Sequence, residues 1–331
     1  MQIANPMLAQ PEEPKQAPVV YAIIPAYGRP ELLARALASL RDQGPALRGA
    51  IVVNNSGDDQ TTRVAREATV PVTLVTPRCN LGTAGGIAAG LQAFRAEPAA
   101  THAWILDDDS VATPGALDAM LAAMRESGAE AAMPLLADES DRVYWVPCGM
   151  PYRQRKFVQR GPTVAEFRRE FGVAPRPWTW ATWASVLFSR RAVEAAGYPQ
   201  LELWSQFTDV EYTLRLTARF SGVLAPLSVC RHLPPSPVGQ AFDGKLYSAL
   251  QNGSYVGFRL RHGWRALRHL AGLNFRYLRH YHWQWRAWLD PVTAFFCGAI
   301  LSRPSGRTVH AAQYEAAQAA WSEMLHTKPP D

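Results

Sequence analysis

The sequence predicts an α/β fold, in which a mostly parallel, Rossmann-like sheet is flanked by helices and followed by a helical C-terminal extension. Two observations lead to this prediction. Short β-branched runs alternate with amphipathic segments of helical length, which is the pattern of βαβ units. Polar or glycine-rich motifs directly follow the apolar runs, and ligands of such sheets bind there, beyond the carboxyl ends of the strands.

Local signals define the elements in chain order. Residues 19–25 form a short β-branched run that is typical of a buried strand. Pro30 then begins an amphipathic helix that Gly44 ends, because proline favours the first helical turn and glycine the exit. Further strands are predicted over residues 49–53, 72–76, 102–106 and 223–229. Further helices are predicted over residues 60–68, 190–196 and 209–219, after the glycine-rich turn at 80–90 and after Thr113-Pro114, and residues 148–177 are expected to insert over the sheet edge.

Composition divides the 331 residues into a loose Pro- and Gln-rich tail (1–18), an α/β domain (19–240) and a basic, aromatic C-terminal region (241–331). The net charge is +6, but residues 244–310 carry +9 and the remainder of the chain −3. The tail lacks the basic and apolar stretches of a signal peptide, and no apolar run reaches the ~18 residues of a membrane span. Four cysteines without a CxxC pair argue against a disulfide framework or a zinc site and fit a reducing cytosol.

Three adjacent aspartates follow the predicted strand at 102–106, in the stretch WILDDDS. Side chains alternate along an extended segment, so Asp107 and Asp109 point the same way. Unpaired carboxylates repel each other, and a divalent cation such as Mg²⁺ or Mn²⁺ removes that cost. The alternative is a solvated turn in which Asp109 or Ser110 caps the next element. The position at a strand end favours the metal site, and Asp108 then faces away from the cation, toward the donor sugar or only toward the protein.

A glycine-rich turn, Asn80-x-Gly82-x-x-Gly85-Gly86, opens the following helix. It lacks the first glycine and the acidic residue of a dinucleotide fingerprint. We expect the glycines to permit close approach of a nucleotide, with Asn80 as a hydrogen-bonding group. The alternative is that the glycines only let the helix pack closely on the sheet.

Six motifs in order resemble family-2 glycosyltransferases of the GT-A fold, and are similar to those of bacterial rhamnosyltransferases and galactofuranosyltransferases. The motifs are YAIIPAYGRPELLARALASL, IVVNNSGDD, NLGTAGGIAAG, ILDDDS, FTDVEYTLR and a strand that ends in His232. The resemblance covers residues 19 to 235, so that the domain at 19–240 is expected to be a GT-A catalytic domain.

The resemblance implies roles for particular residues. Asp107 and Asp109 match the DxD-type metal motif, His232 matches a histidine that completes the metal site in some relatives, and Asp209 matches the catalytic base at the start of a helix. A lone histidine at a strand end is otherwise structural, and Asp209 could equally be the N-cap of its helix. The implied donor-binding residues are Pro25, Ala26, Tyr27, Arg29, Asn54, Asn80, Gly82, Gly86, Asp107 and Asp108.

Two positions depart from the family pattern. Many relatives carry aspartate where Asn54 stands, which leaves the base of the donor, uracil or thymine, open. Relatives often carry a second acid where Thr208 stands, and Glu211 is expected to supply part of the missing charge and to contact the acceptor. Tryptophans are suited to stacking on a sugar acceptor and equally to a core. Trp180, Trp183 and Trp204 are the candidate acceptor contacts.

The reaction implied is a single displacement with inversion at the anomeric carbon of a UDP- or dTDP-linked sugar, galactofuranose or rhamnose. A divalent cation neutralises the leaving group, and Asp209 deprotonates a hydroxyl of a glycan or lipid-linked acceptor. The alternatives are a sugar-nucleotidyltransferase, which needs a Gly-, Arg- or Lys-rich phosphate loop where this chain reads PAYGRPELL, and a non-catalytic module that retains the fold.

The C-terminal region combines basic and aromatic residues. Arg261, Arg265 and Arg268 lie at helical spacing beside Trp264, and Trp283, Trp285 and Trp288 continue the pattern. This pattern is typical of a helix at an anionic membrane surface, which predicts a peripheral protein on the cytoplasmic face of the inner membrane. Packing of the helices on the catalytic domain is the alternative. Nucleic acid is not expected as a partner, because no binding motif is present.

Overall fold

The computed structural model describes residues 17–145, 161–233, 245–259, 289, 292–308 and 310–326. The predicted tail lies almost wholly outside these ranges, as do the domain boundary predicted near residue 240 and the arginines and tryptophans at 261–288.

The N-terminal half of the sheet is parallel, as the alternating pattern predicts. Its strands lie in the order β3-β2-β1-β4, and one α-helix connects each of the first three strands in the chain to the next. The strands are β1 (Val20–Ala26), β2 (Leu47–Asn54), β3 (Val72–Val75) and β4 (His102–Leu106). The helices are α1 (Pro30–Ser39), α2 (Asp59–Arg66) and α3 (Gly82–Ala96).

The second half of the sheet is mixed, and continues in the order β9-β6-β10-β5 beyond β4. The α/β fold class is confirmed, but β9 runs antiparallel to both of its neighbours, β4 and β6. The sequence does not predict β6, whose run AAMPLLA contains proline and no β-branched residue. The strands are β5 (Ser110–Ala112), β6 (Ala131–Ala137), β7 (Val143–Trp145), β8 (Arg176–Trp178), β9 (Ser185–Ser189) and β10 (Gly222–His232). The helices are α4 (Ala116–Ser127), α5 (Val164–Phe171), α6 (Arg190–Ala196) and α7 (Thr208–Thr217).

The glycines of α3 serve close packing, which is the alternative that the sequence left open. A Cβ on Gly90 would lie 2.2 Å from Cγ2 of Ile23 in β1, and one on Gly86 would lie 2.5 Å from Nδ2 of Asn55. The helix therefore sits directly on the carboxyl-terminal half of β1 and β2, where the donor-binding residues were expected.

The described part of the C-terminal region packs on the α/β domain. It contains α8 (Lys245–Arg259), one π-helical turn (Phe296–Ile300) and α9 (Ala311–His326). Trp321 of α9 meets Tyr198 edge-on at 5.2 Å, and Gln92 of α3 donates to the carbonyl of Met324. No helix in the described ranges is long and apolar enough to cross a bilayer.

Candidate active site

The three aspartates follow β4 at the centre of the sheet. Asp107 and Asp109 lie on either side of a tight turn, which the Ser110 amide closes by donating to the Asp107 carbonyl at 3.0 Å. The next strand, β5, pairs with the end of β10 and sets Ser110 opposite His232. As a result, Nε2 of His232 lies 3.1 Å from Oδ1 of Asp109 and 4.0 Å from Oδ2 of Asp107.

The electrostatics of these groups suit a cation. Burial and the charge of Asp109 raise the pKa of Asp107. Burial opposes ionisation of Asp109, but the hydrogen bond and charge of His232 outweigh it and lower the pKa of Asp109. One carboxylate oxygen each from Asp107 and Asp109 and one imidazole nitrogen of His232 lie within 4.8 Å of one another. This set of ligand atoms fits a divalent ion such as Mn²⁺ or Mg²⁺.

Asp108 faces the protein. Nε of Arg29 donates to Oδ2 of Asp108 at 3.2 Å, and the backbone amide of Tyr27 donates to the same oxygen at 3.2 Å. Nη2 of Arg29 also pairs with Asp108, and Nη1 lies 2.6 Å from Oδ2 of Asp109. Of the two partners left open for Asp108, protein contact is therefore the one seen, and Arg29 joins Asp108 to the candidate metal-binding cluster of Asp107, Asp109 and His232.

Asp209 occupies the second position of α7. Its carboxylate is half-buried, accepts from the amide of Val210 at 2.8 Å and is hydrogen-bonded by Thr182. Burial raises the pKa of Asp209 to about 6. A carboxylate with this pKa is suited to accept a proton near neutral pH. The N-cap interpretation is wrong, because the helix is capped by Phe207.

One short segment links Asp209 to the aspartate cluster. The amide of Asp107 lies 3.5 Å from the carbonyl of Ala184, and Thr182 bonds the carboxylate of Asp209. Residues two apart are separated by at most about 7 Å along an extended chain. The base candidate and the candidate metal-binding cluster are thus attached to opposite ends of one three-residue segment, residues 182–184.

Residues 17–246 match the profile described as glycosyltransferase like family 2.

The chain belongs to glycosyltransferase family 2.

This family-2 chain is 28% identical over 200 residues to the galactofuranosyltransferase GlfT1 of Mycobacterium tuberculosis, over 60% of this chain and 64% of the relative. It therefore spans less than two thirds of that relative's length. Among solved structures it resembles S. aureus TarS 1–349, with a TM-score of 0.56, 14% identity and coverage of 92% and 88%. The mannosyltransferase PcManGT of Pyrobaculum calidifontis, in complex with GDP-Man and Mn²⁺, matches with a TM-score of 0.50, 16% identity and coverage of 95% and 89%. The fold is GT-A.

On the donor side of the family-2 site, Asn54 does not face the ligand region. Its Nδ2 donates to the carbonyl of Asp58 and the hydroxyl of Thr62, and its Oδ1 accepts from Ser56 and Gly57, all at 2.9 to 3.1 Å. The expectation that Asn54 contacts the base is therefore corrected, because its buried amide is used within its own turn.

Asn55, which is not among the predicted donor-binding residues, joins β2 to the glycine-rich turn. Its Nδ2 donates to the carbonyl of Gly82 at 3.0 Å, and Oδ1 of Asn80 accepts from the amide of Gly82 at 2.8 Å. The signal available in the sequence was an amide side chain directly after an apolar strand. Pro25 and Ala26 end β1 beside this turn, and Tyr27 is 58% exposed there.

The predicted acceptor residues divide into two groups. The ring of Trp183 is buried between Phe188 and Tyr212, and that of Trp204 is buried and stacked on His310, so core packing fits both. Trp180 is half-buried near Leu203 and keeps its place as a candidate.

Glu211 fills neither of the two roles expected for it. Its buried carboxylate pairs with Arg215 at 2.7 Å, so it is not presented to an acceptor. The pKa of Asp209 is raised by its own burial and not by the charge of Glu211.

Proposed function

We propose that this chain transfers a sugar from a nucleotide-diphosphate donor to a hydroxyl of a glycan or lipid-linked glycan, with inversion of configuration and with a divalent cation. The supporting observation is that one short segment, residues 182–184, connects Asp209 to the cluster of Asp107, Asp109 and His232. The cluster of Asp107, Asp109 and His232 fits a cation, and Asp209 has a pKa raised into the range of a general base.

The residues divide the chemistry between them. Asp209 accepts the proton of the acceptor hydroxyl as the oxygen attacks the anomeric carbon, and the bond to the diphosphate breaks in the same displacement. One base and one leaving group on opposite faces of the sugar give inversion. A cation bound by Asp107, Asp109 and His232 would neutralise the negative charge of the leaving group. Arg29 holds Asp108 and Asp109 in place beneath it.

Galactofuranose is the first candidate for the sugar, and rhamnose the second. The similarity to a galactofuranosyltransferase and the three adjacent aspartates support the former. Because Asn54 is used within its own turn, we propose that another group at this edge, with Tyr27 the most exposed, contacts the base.

A donor panel tests the proposal directly. UDP-galactofuranose, dTDP-rhamnose, GDP-mannose and UDP-glucose are added to the full chain with Mn²⁺ or with EDTA, and the midpoint of thermal unfolding is measured. A ligand that binds only the folded chain adds about 2.7 kcal/mol to the free energy of unfolding at a hundredfold excess over Kd. The midpoint of thermal unfolding rises as a result. We expect the first donor to do so only with Mn²⁺. Equal midpoints for all donors, with and without metal, would remove the proposal.

A membrane surface is the proposed setting of the acceptor. Four apolar side chains at helical spacing are each more than half exposed: Leu289, Val292, Phe296 and Ile300. They lie within residues 244–310, a stretch that carries a charge of +9. Exposed apolar side chains within a basic stretch of sequence are suited to an anionic bilayer.

Vesicle sedimentation tests this setting. We expect the chain to bind phosphatidylglycerol vesicles, and Phe296→Ser with Ile300→Ser to release it. Leu227→Ser, which removes an apolar side chain of similar exposure on the catalytic domain, is the matched control. A double variant that binds as well as this control, or self-association of the chain through the same face, would contradict membrane docking.

A further inference from the structure

The backbone before the candidate base is strained. Trp204 has φ 62° and ψ −69°, and the amide of Ser205 donates to the carbonyl of Leu203 at 2.8 Å, which together make a γ-turn with a left-handed centre. Phe207, which caps α7, has φ 64° and ψ 10°. Bulky residues adopt these conformations only where the surrounding structure enforces them.

One buried amide from the C-terminal region spans this strained turn. Nδ2 of Asn252, in α8, donates to the carbonyl of Leu203 and to the carbonyl of Gln206, each at 2.8 Å. Its Oδ1 accepts from the amide of Ser305 at 2.7 Å, so every polar group of the amide has a partner. Asn252 and Ser305 are both fully buried.

Neighbouring contacts hold the same stretch, residues 203–207, which we call the 203–207 loop. A Cβ on Gly306 would lie 2.4 Å from the carbonyl of Glu202, so the segment around Ser305 rests on the turn that precedes the loop. Arg307 pairs with Glu202 at the surface. On the other side, the carbonyl of Trp204 accepts from the amide of Ala84 at 3.0 Å.

The loop in turn sets the start of the helix that carries the base. The hydroxyl of Thr208 lies 3.3 Å from the carbonyl of Ser205, and the amide of Glu211 donates to the carbonyl of Phe207 at 3.0 Å. Asp209 lies between these two attachment points. Movement of the loop would therefore move Asp209 relative to the aspartate cluster.

We propose that Asn252 is a positioning residue for the transfer reaction, which fixes the 203–207 loop and through it the carboxylate of Asp209. Through Asn252, the C-terminal region thereby supports the part of the site that carries the base. This inference rests on the proposed function of Asp209, and its test separates the two.

The chain offers a matched control for Asn252. Gln251 is the preceding residue of α8, is equally buried, and donates to the carbonyl of Arg303 at 2.6 Å and to Thr308 at 2.9 Å. Gln251→Ala therefore removes comparable buried hydrogen bonds from the same helix, none of which is made to residues 203–207 themselves. Ser305→Ala is the milder change, because it removes a hydroxyl that accepts from Nδ2 of Asn252 at 2.9 Å and lies 3.3 Å from the carbonyl of Leu203, but leaves the bonds of Asn252 to the 203–207 loop in place.

Hydrogen exchange of the peptide over residues 203–211 is measured for the full-length variants, together with Mn²⁺-dependent turnover of UDP-galactofuranose and dTDP-rhamnose. For Asn252→Ala we expect exchange to rise at least about tenfold and kcat to fall by about 10- to 100-fold, since an ångström of misplacement has effects of that size. Affinity for UDP or dTDP with Mn²⁺ should stay within about threefold. Gln251→Ala should leave exchange of this peptide and kcat within about threefold of wild type, even with a similar loss in Tm.

Two outcomes would overturn the inference. One is unchanged exchange of the 203–211 peptide in Asn252→Ala, and the other is a fall in kcat no larger than that of Gln251→Ala. If Asn252→Ala does not fold, Ser305→Ala must show the same effects at smaller size. Asp209→Asn in the same series identifies the cause of a failure. An active Asp209→Asn removes the proposed function, whereas an inactive one beside a fully active Asn252→Ala removes only the positioning role.

Discussion

The two halves of the candidate site are built in different ways. Asp107, Asp109 and His232 lie at the ends of paired strands, and the register of β5 against β10 alone brings the histidine to the aspartates. Asp209 follows a strained loop whose carbonyls are bound by Asn252, 46 and 49 residues away. The group that would hold the cation is thus fixed by the sheet, and the group that would move the proton is fixed by a distant part of the chain.

The difference teaches where each half is vulnerable. A strand-end site shares its stability with the core, so that its geometry persists as long as the sheet does. A loop with two left-handed bulky residues carries strain of order 1–3 kcal/mol at each, and keeps its shape only while its partners hold it. Substitutions should therefore affect binding in one half and turnover in the other.

Replacement of the base should have the largest effect. Asp209→Asn keeps the shape of the side chain but cannot accept a proton, and a positioned base contributes about 10²- to 10⁴-fold in rate. We expect transfer to fall by that factor while donor affinity with Mn²⁺ stays within about twofold, as measured by steady-state kinetics and calorimetry. Parallel loss of affinity and rate would show that Asp209 belongs to the binding half.

Removal of a metal ligand should have the opposite signature. Asp107→Ala and Asp109→Ala are each expected to weaken Mn²⁺-dependent binding of UDP by at least about tenfold, because two remaining ligands hold the ion poorly. Asp59→Asn, which removes one exposed carboxylate in α2, controls for net charge. Normal binding by either alanine variant with Mn²⁺ present would make the metal assignment wrong.

Much of the geometry around Asp107 and Asp109 could be predicted from the sequence, but little of what positions Asp209 could be. The bounds of β4 agree with the prediction, and Asp107 and Asp109 do lie together, although a tight turn and not the predicted alternation of an extended segment brings them there. His232 came only from the resemblance, because β5 has three residues and leaves no periodic signal. The Asn252 contacts join residues about 50 apart with no local pattern, and a lone asparagine in an amphipathic helix is normally a solvated residue. Asn54 and Glu211 were misassigned because sequence position does not reveal which hydrogen bonds a polar side chain already makes.

The pH dependence of turnover tests the proposed base, and its effect is expected to be of intermediate size. Burial raises the pKa of Asp209 from 3.8 to about 6, so the base is protonated and inactive below that pH. We expect kcat to fall about tenfold per pH unit below the pKa and to level off above it. The same shift favours the neutral carboxyl in the folded chain, so this group's contribution to stability decreases as pH rises from about 4 to about 6. At neutral pH, Asp209→Asn should therefore unfold at a higher temperature than wild type, and a lower midpoint would contradict the burial of the charge.

The smallest effect is expected from Phe207→Asn. Asparagine tolerates the left-handed conformation that Phe207 adopts, so the substitution relieves backbone strain. It also removes a ring that packs beside Leu203 and Val210, and loss of this half-buried contact opposes the gain. We expect Tm to change by less than about 4 °C, which corresponds to ~1 kcal/mol in a domain of this size, and kcat to stay within about threefold. A larger fall in kcat at unchanged Tm would mean that the ring itself, and not only the bonds from Asn252, holds the base in place.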